Sequence, residues 1–275
     1  MGPEVVHMKK LLIGVAVCAA WSGPVGAQVN APNESGVAMG HVHMNVRDVE
    51  AHKKFWVELG ATAVRVGTAE AVKMDGLLIV LREQAPTGPT DGSTINHFGV
   101  LVPQFAALRT HLETTDIKMD PAREGSGDLR QSSAYGPDEF RVELTEDPSL
   151  TTGLASHHLH YNVPDPAEVQ RWYAATLMVA PGTRARWQAG DVPGMNLTYG
   201  AIPEGGPTPV HTKGRLIDHV GFEVTNLEAF AKKLEASGVK LDTPYQRDHE
   251  LGVSSVFLTD PWGVTIELTE GLRAF

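Results

Sequence analysis

The sequence predicts an α+β protein made of four strand–helix–three-strand modules, grouped into two domains. Three observations lead there. Four segments open alike: "HVHMNVRDVEAHKKFWVELG" from His41, "NHFGVLVPQFAALRTHLETT" from Asn96, "HHLHYNVPDPAEVQRWYAATL" from His157 and "DHVGFEVTNLEAFAKKLEASG" from Asp218. In each, every second residue is first apolar or His, and the period then lengthens to that of a helix. Two Pro/Gly/Thr-rich linkers, "REQAPTGPTDGST" and "PEGGPTPVHTKGR", recur at matching places, and "DPSLTTG" divides the chain between them.

In chain order, Met8-Lys9-Lys10, the apolar "LLIGVAVCAAW" and the small residues up to Ala27 read as a signal peptide over residues 1–27. Translation is expected from Met8 and cleavage before Gln28, with export to the periplasm or beyond. The apolar run is too short to span a bilayer, so no membrane association is expected after cleavage. Cys18, the one cysteine, lies inside this segment, so the mature chain would form no disulfide and use no thiolate.

The first module continues through the strands "ATAVRVG", "EAVKMDG" and "LLIVLRE", and the second closes on "FRVELTED". The third includes the strand "MNLTYG". In the fourth, Leu227, Phe230, Leu234 and Val239 mark the buried stripe of a helix ending near Gly238, followed by "TPYQRD", "VSSVFLTD" and "VTIELTE". The domains are thus residues 37–147 and 154–273.

Composition is that of an ordinary globular protein, 42% apolar and 20% charged. A net charge of −10 argues against a nucleic-acid partner. The sequence has no GxSxG, phosphate loop or dinucleotide fingerprint. Its chemistry is concentrated in histidines on strands. A strand places i, i+2 and i+4 on one face, so His41, His43 and Asn45 share a face, as do His158, His160 and Asn162. Glu143 and Glu267 each sit between two apolar neighbours. Either they face solvent, or they face inward and require a partner such as a cation.

The fourfold module order, with "DHVGFEV" and "DPWGVTIELTE", resembles the vicinal oxygen chelate superfamily, the glyoxalase/bleomycin-resistance/dioxygenase group. The resemblance implies curved open sheets, each formed by two modules around a metal, with ligands on the first strand of each module and on a last strand. Five residues before the valine that closes each first strand stand His41, His97, His158 and His219, and the last strands supply Glu143 and Glu267. On this reading His41, His97 and Glu143 form one centre and His158, His219 and Glu267 the other. Two His and one Glu suit Fe2+, Mn2+, Zn2+ or Ni2+ and leave positions open for a small oxygenated substrate. His43 and His160, one step along the strands, are the candidate acid/base groups.

Val80 and Thr198 stand where the glyoxalase I pattern would place a fourth ligand, and Phe257 where extradiol dioxygenases carry a tyrosine. His157 is expected on the opposite strand face, and His52, His111, His211 and His249 in solvent. Trp187, in an irregular basic stretch, is expected to line or cover a cup. The resemblance implies a metal-dependent lyase, isomerase or dioxygenase, acting as a monomer or homodimer. The alternatives are a bleomycin-resistance-like protein that binds a small molecule without catalysis, and a module that the metal merely stabilises.

Overall fold

The computed structural model describes residues 29–124 and 129–275. The expected signal peptide and Cys18 lie outside them. The first module comprises β1 (Val37–Val46), α1 (Val49–Glu58), β2 (Thr62–Val66), β3 (Ala69–Met74) and β4 (Leu77–Glu83). The second comprises β5 (Ile95–Val102), α2 (Phe105–Leu112), β6 (Lys118–Met119), β7 (Arg123–Glu124), β8 (Arg130–Tyr135) and β9 (Arg141–Glu146). The third runs β10 (Ala155–Val163), α3 (Pro166–Leu177), β11 (Ala180–Arg184), β12 (Trp187–Val192) and β13 (Met195–Ala201). The fourth runs β14 (Ile217–Val224), α4 (Leu227–Ala236), β15 (Leu241–Asp248), β16 (Val253–Thr259) and β17 (Thr265–Glu270). Trp187 therefore opens a regular strand, not the irregular stretch expected.

Helix entries follow side-chain chemistry. Asp48 accepts from the Ala51 amide ahead of α1, and Asp165 accepts from Ala167 and Glu168 ahead of α3, whose first residue is Pro166. Each helix lays its apolar side on one face of a sheet. Val42, Met44, Val46, Val220, Phe222, Val224, Ile266 and Leu268 meet that layer, all at most 1% exposed. The alternate residues, with the histidines among them, face the other way into a cup.

The two sheets do not follow the two halves of the sequence. The first sheet has the order β15-β16-β17-β14-β1-β4-β3-β2 and joins the fourth module to the first. The second has the main order β11-β12-β13-β10-β5-β9-β8-β6 and joins the third to the second. The seams are antiparallel pairs, β1 with β14 and β10 with β5. Each seam carries register shifts at matching places: Met39/His41 and His43/Met44 in one, Ser156/His158 and His160/Tyr161 in the other. One continuous apolar core draws on all four modules.

Candidate metal centres

This topology corrects the expected grouping of ligands. His41 and Glu267, from opposite ends of the chain, meet in the first cup, whereas His97 lies in the second. The first centre is His41, His219 and Glu267, with ligand atoms all within 4.8 Å of one another. The second is His97, His158 and His160, whose ligand atoms also lie within 4.8 Å of one another; the expected ligand Glu143 falls outside that set, its Oε1 3.7 Å from His158 Nε2. The side chains converge, but in sets drawn from both sequence halves, because β1 pairs with β14 and β5 with β10.

In the first cup, one carboxylate oxygen, Glu267 Oε2, lies 2.9 Å from His41 Nε2 and 3.1 Å from His219 Nε2. His219 Nδ1 donates to Asp218 Oδ1 at 2.6 Å, and Asp218 Oδ2 accepts from Asn45 and from the Gly214 amide. A carboxylate behind an imidazole fixes its tautomer and aims its second nitrogen. Burial pushes Glu267 up, but hydrogen bonds from His219 and His41 outweigh it and hold the carboxylate well below its usual range. Burial lowers His219, yet its bonds to Asp218 and Glu267 leave its pKa raised. Gly221 pairs with His41 across the seam, and a Cβ there would stand 2.0 Å from His41 Cε1. The missing side chain makes room for the ring.

His43 stacks on His219 with ring centroids 4.5 Å apart. Among the described residues its buried Nε2 has no hydrogen-bond partner, and neither has His41 Nδ1. Burial, reinforced by the neighbouring His219 and His41, lowers the His43 pKa to about 3, so its imidazole is neutral at ordinary pH. A cleft of about 750 Å³ reaches His43 between Glu70, Val80 and Arg82. Val80, which pairs with His43, and Thr198, which pairs with His160, occupy the expected places of the fourth glyoxalase I ligand. Phe257 pairs with Glu267 and meets His219 edge-on at 5.4 Å.

The second cup repeats the plan with different electrostatics. Glu143 Oε1 is 3.7 Å from His158 Nε2, but Oε2 accepts from Arg123 at 2.5 Å. Asn96 takes the place of Asp218, its Oδ1 2.8 Å from His97 Nδ1, and Arg141 Nη2 lies 3.0 Å from the same nitrogen. Gly99 clears space for His158 as Gly221 does for His41: a Cβ would lie 2.2 Å from the ring. Burial and then nearby arginines lower His97, His158 and His160, the last to about 4. His160 stacks on His97 at 4.9 Å and meets Trp187 edge-on at 5.5 Å, so Trp187 does wall this cup.

Two other histidines depart from expectation. His157 sits at the bulge rather than cleanly on the far face, with its Nδ1 3.3 Å from that of His158. His52 is fully buried against Asp138 at 3.2 Å, while His111, His211 and His249 are exposed as expected. Asp218 and Asn96 each directly precede a ligand histidine, a signal that adjacency alone could have given. Arg141 shares strand parity with Glu143. Arg123 and Arg184 come from strands with no sequence cue toward the cup. A cleft of about 1320 Å³ contains neither histidine cluster and touches the second cup only at Arg141.

The sequence model described as the Glyoxalase/Bleomycin resistance protein/Dioxygenase superfamily matches residues 38–144 and 155–268. Glyoxalase I from Zea mays superposes with a TM-score of 0.66 at 14% identity, covering 86% of this chain and 94% of that one. A candidate dioxygenase from Bacillus subtilis gives 0.62 at 13%, covering 87% and 86%. The cppA protein of Streptococcus pneumoniae gives 0.52 at 10%, covering 88% and 98%. At these identities the likeness is one of fold. A search of curated proteins finds no match to this sequence.

Proposed function

We propose, for a chain that belongs to the Glyoxalase/Bleomycin resistance protein/Dioxygenase superfamily, that it is a divalent-metal-dependent enzyme acting on a small oxygenated substrate in the first cup. The observation that carries this reading is the convergence of two imidazole Nε2 atoms on one carboxylate oxygen, with a second carboxylate aligning His219. His41, His219 and Glu267 would hold Fe2+, Mn2+, Zn2+ or Ni2+, and the donor set fits such an ion. When bound, the ion supplies Lewis acidity toward two oxygens of the substrate, or a site for oxygen chemistry. The second cup repeats the histidines of this plan at His97, His158 and His160, but its carboxylate, Glu143, is engaged by Arg123, so the metal is assigned to the first cup alone.

The rest of the chemistry falls to the chain. His43, neutral and with its buried Nε2 unpartnered, accepts a proton from the substrate and returns it. His160 holds the matching position in the second cup. Val80 and Phe257 cannot ligate, so they leave room beside the three donors and wall the reacting group from water. The Asp218–Asn45 contact keeps His219 from rotating. The reaction class is lyase, isomerase or dioxygenase, and residues 1–27 would direct the protein to the periplasm or outside the cell.

The test is reconstitution. Chelated full-length protein is loaded separately with each of the four ions and analysed by elemental analysis after desalting. Oxygen uptake on catechols is then measured for each form. Retained metal that is lost in Glu267→Gln and His41→Ala supports the centre, and oxygen uptake selects the dioxygenase branch. Protein that retains none of the ions refutes a metal-dependent activity and favours a binding protein.

A further inference from the structure

We infer that the second cup is a seat for an oxyanion, the carboxylate or phosphate group of a small molecule, held by Arg184 and Arg141 beside the His97–His158 pair. The inference does not depend on the activity of the first cup or on a metal.

Among the described residues, three guanidinium groups border this cup, and the one carboxylate in direct contact with them is that of Glu143. Arg123 is satisfied by Glu143 at 2.5 Å. Arg184 is not. Its side chain is only 23% exposed, yet its nearest acceptors are Glu143 Oε1 at 4.0 Å and His157 Nδ1 at 3.5 Å. A guanidinium largely removed from water with its planar fork unfilled is poised for a bidentate acceptor. Arg141 spends one nitrogen on Asn96 Oδ1, at 2.6 Å, and His97, leaving its remaining donors open. Asp91, the nearest acid on the adjoining linker, is engaged by Asn96 Nδ2 at 2.8 Å.

The neighbouring imidazoles of His97, His158 and His160 carry no negative charge to compete with a bound anion. The first cup, built on the same plan, lacks these cations. The strand pair there that matches Arg184 with Trp187 is Val66 with Ala69. Thr265 stands two residues before Glu267, where Arg141 stands before Glu143. Arg141 also lines the 1320 Å³ cleft, which gives a ligand body room outside the cup. The two cups have thus diverged, one toward a cation and the other toward an anion.

The test uses metal-stripped full-length protein. Inorganic phosphate and oxalate are titrated separately by calorimetry at constant ionic strength, with chloride as the control anion. Saturable binding of either is expected. The tighter of the two identifies the group recognised, tetrahedral or planar. Arg184→Gln and Arg141→Gln should each weaken it at least tenfold, whereas Arg82→Gln, beside the first cup, should not. In the wild type, the Arg184 and Arg141 Nε–H signals should shift during titration, a readout independent of how any variant folds. Unsaturable binding, unshifted arginine signals, or a loss confined to Arg82→Gln would overturn the proposal.

Discussion

Gly221 and Gly99 govern the two centres from across a seam, without contributing a ligand. Each faces a histidine ring that fills the volume a methyl group would need. Gly221→Ala should therefore push His41 off its line to Glu267. Overpacking of this kind costs about 1–3 kcal/mol, tolerable for most domains, so the chain should still fold. The expected result is a protein with native far-ultraviolet circular dichroism and at least tenfold weaker metal binding at the first cup by competition titration. Unchanged affinity would mean that the ring is not positioned by this contact. Asp218→Asn probes the same imidazole from behind: loss of an outer carboxylate partner weakens metal binding about 10–100-fold. It should also reduce the acid sensitivity of binding, because in the free protein Asp218 and Glu267 together raise the His219 pKa, and an incoming cation must displace that proton.

At the scale of elements, the turn between β16 and β17 reaches from the first sheet into the core of the second. Asp260 Oδ1 accepts from the amides of Trp262 and Val264, and Oδ2 accepts from Tyr173 Oη at 2.8 Å. Tyr173, on α3, packs between Tyr161 and Tyr199, all fully buried. Tyr199, paired with Tyr161 across β10 and β13, is likewise a core residue. Burial raises Asp260 from 3.8 to about 6 despite the bonds it accepts. The folded chain then keeps this proton over a range where the unfolded chain has released it. The acid favours folding most at low pH, and this contribution is lost as pH rises through the interval between the two values, by roughly 3 kcal/mol. Asp260→Asn keeps an acceptor for the amides and should flatten the denaturation midpoint across that interval. A variant that tracks the wild-type pH profile would show that Asp260 is ionised in the fold. Strand parity made legible which residues share the cup face with the histidines, since a period of two fixes the face once the apolar face is known. It failed at His157, because a bulge shifts parity and leaves no mark in residue type.

For the whole molecule, what the sequence left open was which modules share a sheet. The four first strands have the same alternation and the same closing valine, so β1 is as acceptable a neighbour for β5 as for β14 by local chemistry. That choice is not encoded in the residues of any one strand. The same ambiguity hid Arg123 and Arg184, whose strands matter only once the second and third modules are joined. The interlock has a direct consequence. A fragment of residues 29–150 contains β1 and β5 but neither antiparallel partner, and it separates His41 from His219 and Glu267. Its unpaired strands are open edges, which favour association between chains. Each half produced alone should therefore self-associate on size-exclusion chromatography and bind no stoichiometric metal. Refolding an equimolar mixture of 29–150 and 151–275 should restore both a single compact species and metal uptake, because His41 then meets His219 and Glu267 across its true strand pair. A first half that binds metal tightly by itself through His41, His97 and Glu143 would show instead that each sequence half closes its own sheet, and the crossed pairing would have to be abandoned.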